Sequence, residues 1–172
     1  MNTKSILLAY ATRYGSTQEV AETVTVELRA AGLKVDIQPI QDVKSLDNYD
    51  AVVLGAAIYN ARWHPDAHQF LAQHQEALRQ QPVAIFALGP LSASDAARRN
   101  SRRQLDKELE KYPWLKLVAL EIFAGKYDPS KPGLGFFERL QPASDKRNWD
   151  AIRAWANTLP AQLQHDEVLR PA

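Results

Sequence analysis

Three aliphatic hydroxyls and a glycine crowd the stretch Thr12-Arg13-Tyr14-Gly15-Ser16-Thr17, between the apolar run Ile6 to Ala9 and a helix-forming stretch from Gln18 to Ala31. The chemistry such a turn offers is anion binding. Thr12, Ser16 and Thr17 can donate O–H bonds, and Gly15 lets the backbone curl close to a ligand. The first N–H groups of the following helix add the positive end of its macrodipole. A phosphate placed there would be well served.

The turn lacks the Gly-Lys-Ser/Thr ending of a triphosphate loop, and Gly15 is its only glycine, so it is not the dinucleotide fingerprint either. With no lysine or metal-binding carboxylate in the loop, neutral donors would hold the group, which suits a single phosphate. A helix cap made by Ser16 or Thr12, with Glu19 at capping-box spacing from Ser16, uses the same residue types without a ligand. Other chemistry is sparse. His64 could assist a proton, but a histidine just before Pro65 also suits a helix start. His64 and His68 stand four apart without an evident third ligand or a zincin glutamate, so no metal site is expected.

Positioning these residues requires alternating strands and helices. Strands are predicted at Ser5 to Tyr10, Lys34 to Gln38, Ala51 to Ile58, Val83 to Leu88 and Leu117 to Ala124. Helices are predicted at Ser16 to Ala31, Pro65 to Leu78, Ser94 to Tyr112 and Trp149 to Leu163. Gly32 would end the first helix in a left-handed C-cap, and Asp145 or Asn148 would cap the last. The second strand alternates Val35 and Ile37 and stops at Pro39, as an edge strand does, whereas Ala51 to Ile58 is continuously apolar, as a central parallel strand is. The expected fold is therefore α/β, a doubly wound five-stranded parallel sheet of order 2-1-3-4-5 with helices on both faces. Ligands of such sheets bind beyond the carboxyl ends of the strands where the winding reverses. The loops Thr12 to Thr17, Ala57 to Trp63 and Leu88 to Asp95 should meet there.

With 172 residues, 45% of them hydrophobic, the chain is expected to form one domain over 1–172, with an irregular insert at about 125–147. It has no cysteine, so disulfides, thiolate nucleophiles and cysteine-held clusters are excluded and redox chemistry would belong to a non-covalently held cofactor. A formal charge of +1 does not recommend nucleic acid as a partner. The brief apolar strand near the start is too short for a signal sequence, and no apolar run reaches membrane-spanning length, so a cytoplasmic protein is expected. Arg98, Arg99, Arg102 and Arg103 read as a solvated helix face, with an anion-receiving patch as the sharper alternative.

The three loops together resemble the flavodoxin family, whose first loop, Ser/Thr-x-Thr-Gly-x-Thr, grips the phosphate of FMN. Thr12, Gly15 and Thr17 match that pattern, while Tyr14 stands where a threonine is usual and leaves only its backbone N–H there. Arg13 faces either the phosphate or solvent. The second loop, Gly55-Ala-Ala-Ile-Tyr-Asn-Ala-Arg-Trp-His64, is similar to the branch containing the menaquinone-dependent protoporphyrinogen oxidase. Where that branch has an Arg-rich, aromatic, membrane-facing insert, this chain has Tyr127 to Leu140.

The resemblance implies FMN as cofactor, its phosphate on Thr12, Arg13, Tyr14, Gly15, Ser16 and Thr17. The flavin ring would lie against Ala57, Ile58, Tyr59, Asn60 and Ala61 and against Leu88, Gly89, Pro90 and Leu91. Tyr59 and Trp63 either stack on the ring or cover the start of the second helix. The implied function is an FMN-dependent oxidoreductase passing electrons to a quinone or another acceptor, with a carrier serving a redox partner protein as the alternative. Leu134, Phe136, Phe137 and Leu140 of the insert either dock on the domain or meet a partner, a quinone or a membrane surface.

Overall fold

The computed structural model of the chain describes residues 3–164. Five long strands, β1 (Ser5–Ala11), β2 (Lys34–Pro39), β3 (Ala51–Tyr59), β5 (Val83–Leu88) and β6 (Leu117–Phe123), pair in the order β2-β1-β3-β5-β6. All four pairings are parallel, and counting only these strands the order is the expected 2-1-3-4-5. The two-residue strand β4 (Arg62–Trp63) folds back antiparallel onto β3.

Side-chain alternation along the strands sends the core to both faces of the sheet. Ile6, Leu8, Val53 and Phe86 face α1 (Ser16–Ala30) and α6 (Trp149–Gln164). Leu7, Val52, Leu54 and Ile85 share the opposite core with Phe70 and Leu71 of α2 (Pro65–Gln73), Leu78 of α3 (Gln75–Leu78) and Leu105 of α4 (Asp95–Leu109). Gly55 has a packing reason: a Cβ there would lie 2.1 Å from Cζ of Phe86, its register partner on β5.

The helix ends follow from their residues. Gly32, at φ +88°, closes α1, with the Gly32 and Leu33 N–H groups donating to Arg29 and Leu28 carbonyls. Asn148 caps α6 by accepting from the Ala151 N–H at 3.0 Å. His64 begins α2, its Nδ1 accepting from the Asp66 N–H at 3.2 Å. The helix predicted over Pro65 to Leu78 breaks at His74 (φ −107°, ψ 20°), whose ring lies 4.8 Å from that of Phe70. Ser94 caps α4 rather than opening it, and the helix stops at Leu109, short of the predicted Tyr112.

Beyond β6 the chain makes an excursion, closed at its base by the antiparallel pair β7 (Lys126–Tyr127) and β8 (Ser144–Asp145) and carrying the one-turn helix α5 (Phe136–Arg139). Among the described residues no helix is long and apolar enough to cross a membrane.

Candidate functional site

The carboxyl ends of β1, β3 and β5 lie side by side, Ala11 opposite Ala56 and Ala57 opposite Leu88, which gathers the three predicted loops at the sheet's carboxyl edge. In the first loop, Gly15 at φ +91° is the N-cap of α1, and no side chain caps the helix. The ligand-free alternative, a cap made by Ser16 or Thr12, is therefore not made. The Thr12 Oγ1 accepts from the Gly15 N–H at 2.8 Å and so shapes the turn. Glu19 does not close a capping box. Its carboxylate pairs with Arg147, and Lys126 Nζ lies 3.7 Å away.

Thr17 is only 1% exposed, and its hydroxyl is buried with no hydrogen-bond partner. The Tyr14 hydroxyl is likewise buried and unpartnered. Unpaired buried hydroxyls cost free energy, and one at an uncapped helix start fits an absent acceptor such as a phosphate oxygen. Space is available at Gly15, where an added Cβ would meet nothing within 4 Å. The first loop's donors thus fit the phosphate of a mononucleotide.

The second loop is tighter than a free loop. β3 runs on to Tyr59, pairs it with Arg62, and turns through Asn60 and Ala61 at φ 49° and 60°. Two consecutive left-handed residues make a type I′ hairpin turn, a conformation asparagine tolerates and alanine resists. Trp63 is 2% exposed and lies in the core, its ring edge-on to His68 at 5.3 Å, so it cannot stack on a ligand at the loop surface. Tyr59 is exposed, with the Arg13 guanidinium 4.9 Å from its ring centroid; that guanidinium also lies 5.2 Å from the Tyr14 ring. Arg13 therefore joins the first loop to the second.

In the third loop the Gly89 N–H donates to the Phe123 carbonyl, and the Pro90 carbonyl accepts from the Gly125 N–H, both at 2.9 Å. Those two groups are used within the fold. Gly89 also needs its small size, because a Cβ would lie 3.0 Å from the Ser101 Oγ under α4.

The His64 N–H closes the second loop on the Ala57 carbonyl at 3.0 Å, but the imidazoles of His64 and His68 bond residues outside the loops. Besides His64 at its helix start, His68 engages the Tyr112 hydroxyl at 2.6 Å and Glu108 at 3.2 Å, and burial lowers its pKa. The arginine cluster lies along α4, where Arg98 pairs with Glu121 at 2.6 Å and Arg102 with Asp106 at 2.9 Å. The cleft lined by Ala96, Arg99, Arg102 and Arg103 includes none of the three loops' residues.

The excursion brings residues that sequence reasoning missed. The Glu138 carboxylate accepts from the Tyr59 hydroxyl at 2.9 Å and from the Gly135 N–H at 2.7 Å. Those bonds, Gly135 first, hold Glu138 below the usual glutamate pKa, and the same carboxylate pushes the Tyr59 hydroxyl above the usual tyrosine value. The Tyr127 hydroxyl donates to the Glu138 carbonyl. The Arg147 side chain, only 3% exposed, bonds Asp145, Glu19 and the Ser16 carbonyl, fixing the excursion's return to the first turn of α1. The Gly135-x-x-Glu138 spacing was the one signal available in the sequence: it marks a helix start, but nothing there pairs it with Tyr59. Of the insert's apolar residues, Leu134 is buried, whereas Phe136, Phe137 and Leu140 stand exposed.

A family profile described as a flavodoxin domain matches residues 7–141. The chain belongs to the flavodoxin family. Its fold is similar to that of oxidised flavodoxin 2 from Bacillus cereus, with a TM-score of 0.54 and 19% identity over 93% of this chain and 97% of that one. A C101S flavodoxin from Pseudomonas aeruginosa gives a TM-score of 0.58 and 17% identity over 94% of this flavodoxin-family chain and 99% of that one. Among curated proteins it is similar to the quinone-type protoporphyrinogen IX dehydrogenase of Escherichia coli K12, 30% identical over 84 residues. That match covers 48% of this chain and 46% of the relative, so the chain spans about half the length of the curated relatives it matches.

Proposed function

We propose that this flavodoxin-family chain binds FMN at the carboxyl edge of its sheet and acts as an oxidoreductase passing electrons to a quinone or another acceptor. The observation that carries the cofactor reading is the buried, unpartnered Thr17 hydroxyl beneath the uncapped start of α1. The phosphate would lie on Thr12, Arg13, Tyr14, Gly15, Ser16 and Thr17. The ring would lie against Ala57 to Ala61 and Leu88 to Leu91, with Tyr59 as the aromatic neighbour. Bound FMN supplies the electron-transfer chemistry; the protein's part is position, hydrogen bonding and exclusion of water. The quinone acceptor is supported by the printed activity of the relative from Escherichia coli.

A carrier without its own substrate is the second reading. It is favoured by the engagement of Glu138, the carboxylate bonded to Tyr59, with both Tyr59 and Gly135, so that this carboxylate is not a free acid or base. One experiment separates the readings. The FMN-loaded protein is photoreduced without oxygen and mixed with a menaquinone analogue, and prompt return of the oxidised flavin spectrum is expected. Reduced protein that ignores the quinone but reduces a protein acceptor would be a carrier. Failure to bind FMN would end both.

A further inference from the structure

The excursion between Lys126 and Asp145 is fastened at both ends to the loops of the proposed cofactor site, by different means. At its base the buried Arg147 guanidinium joins Asp145 of β8 to Glu19 and the Ser16 carbonyl of α1. At its tip, Glu138 of α5 accepts the Tyr59 hydroxyl across 79 residues of sequence. The segment also passes close to the first loop, since a Cβ on Gly133 would lie 3.8 Å from Nη2 of Arg13. Arg13 in turn lies over Tyr59, so the tip, the first loop and the second loop form one connected set.

The base is centred on a buried side chain and the tip is not. Arg147 is 3% exposed in its side chain, whereas Tyr59 is 39% exposed. The carboxylates Glu19 and Asp145 reach solvent, but the buried guanidinium that joins them makes several charge-assisted bonds at once, whereas the tip hangs on one exposed hydrogen bond that exchanges readily with water. The tip is therefore the end that can open.

We propose that the excursion is a strap across the mouth of the FMN site, fastened at its tip by the Glu138–Tyr59 bond, which makes Glu138 a positioning residue for Tyr59 and for retention of the cofactor. This rests on the FMN reading above. The bond aims the Tyr59 ring, and the strap must lift before a cofactor held beneath it leaves.

The test compares wild type with Glu138→Ala, Tyr59→Phe, the double variant and Glu138→Gln, by the rate of FMN release and by hydrogen exchange of residues 128–140 without cofactor. Each single variant should release FMN about five to ten times faster, and the double variant no faster than Glu138→Ala, because Tyr59→Phe removes a bond that Glu138→Ala already lacks. Glu138→Gln, whose amide oxygen still accepts, should fall between. Exchange of 128–140 should rise in the same order while that of α1 stays unchanged. Wild-type release and exchange in the single variants, or additive effects in the double, would overturn the strap. If the wild type binds no FMN, the cofactor reading fails. Exchange alone then judges the fastening, and wild-type protection in Glu138→Ala would overturn it.

Discussion

The β1–α1 turn and the Lys126–Asp145 excursion border the same site but are built in opposite ways. The turn joins a buried strand to a long helix and leaves polar atoms unpaired: the Thr17 and Tyr14 hydroxyls lack partners, and no side chain caps α1. The excursion has little regular structure, yet its key carboxylates are engaged, Glu138 with Tyr59 and Gly135, and Asp145 with Arg147, which also holds Glu19. Unspent donors on a rigid frame suit holding a ligand, since the frame has already borne the ordering entropy. Engaged acceptors on an irregular segment suit holding the segment itself. The first region should therefore govern affinity, and the second stability and exchange.

The largest effect expected from this contrast is on the strap's base. Arg147→Met strands Glu19 and Asp145 without their buried partner and should lower stability by about 2–3 kcal/mol in denaturant unfolding, reduced from the fully buried case because both carboxylates are partly solvated. A loss within error would mean that the cluster carries no net stability.

In the turn the sign should reverse. Thr17→Val removes a buried hydroxyl that has no partner, so the cofactor-free protein should gain about 1 kcal/mol. FMN affinity should fall roughly tenfold through the lost charge-assisted bond. A destabilised variant with intact affinity would show that the hydroxyl has an internal role instead.

The strap's carboxylates add a pH signature. Hydrogen bonding from Arg147 holds Asp145 below its ordinary pKa of 3.8. A depressed carboxylate stabilises the folded state above its unfolded pKa, and that contribution is lost as pH falls through the folded value. The destabilisation caused by Asp145→Asn should accordingly be full at pH 7 and shrink toward pH 3. A pH-independent difference between variant and wild type would rule out the ion pair as its source.

The smallest effect concerns the hairpin beside Tyr59. Ala61, at φ 60°, occupies a conformation that costs an alanine about 1 kcal/mol, so Ala61→Gly should raise stability by about 0.5–1 kcal/mol. A loss would show that the turn is supported by contacts of the Ala61 methyl.

What the sequence disclosed and what it hid divide along the same contrast. The continuous apolar run Ala51 to Ile58, the stop at Gly32 and the edge character of Lys34 to Pro39 are local signals, and the sheet order follows from them and the helices between. The break at His74 carries no glycine or proline to announce it. The turn at Asn60-Ala61 lacks the glycine that usually marks a two-residue hairpin, so β3 was expected to end early. Trp63 was a candidate for stacking because aromatic character says nothing about facing; only the hairpin's register sends it into the core. The strap was invisible for a different reason. Its bonds join side chains 79 and 128 residues apart, Glu138 with Tyr59 and Arg147 with Glu19, and no periodicity encodes such pairs.

The central claim is that the β1–α1 turn holds the phosphate of FMN. Parallel fluorescence titrations of the cofactor-free protein with FMN and with riboflavin, which differ only by that phosphate, test it most directly. The account predicts saturable FMN binding near one equivalent and riboflavin binding weaker by at least tenfold, the margin of a single charge-assisted bond. Equal affinity for the two, or no binding of either, would contradict it.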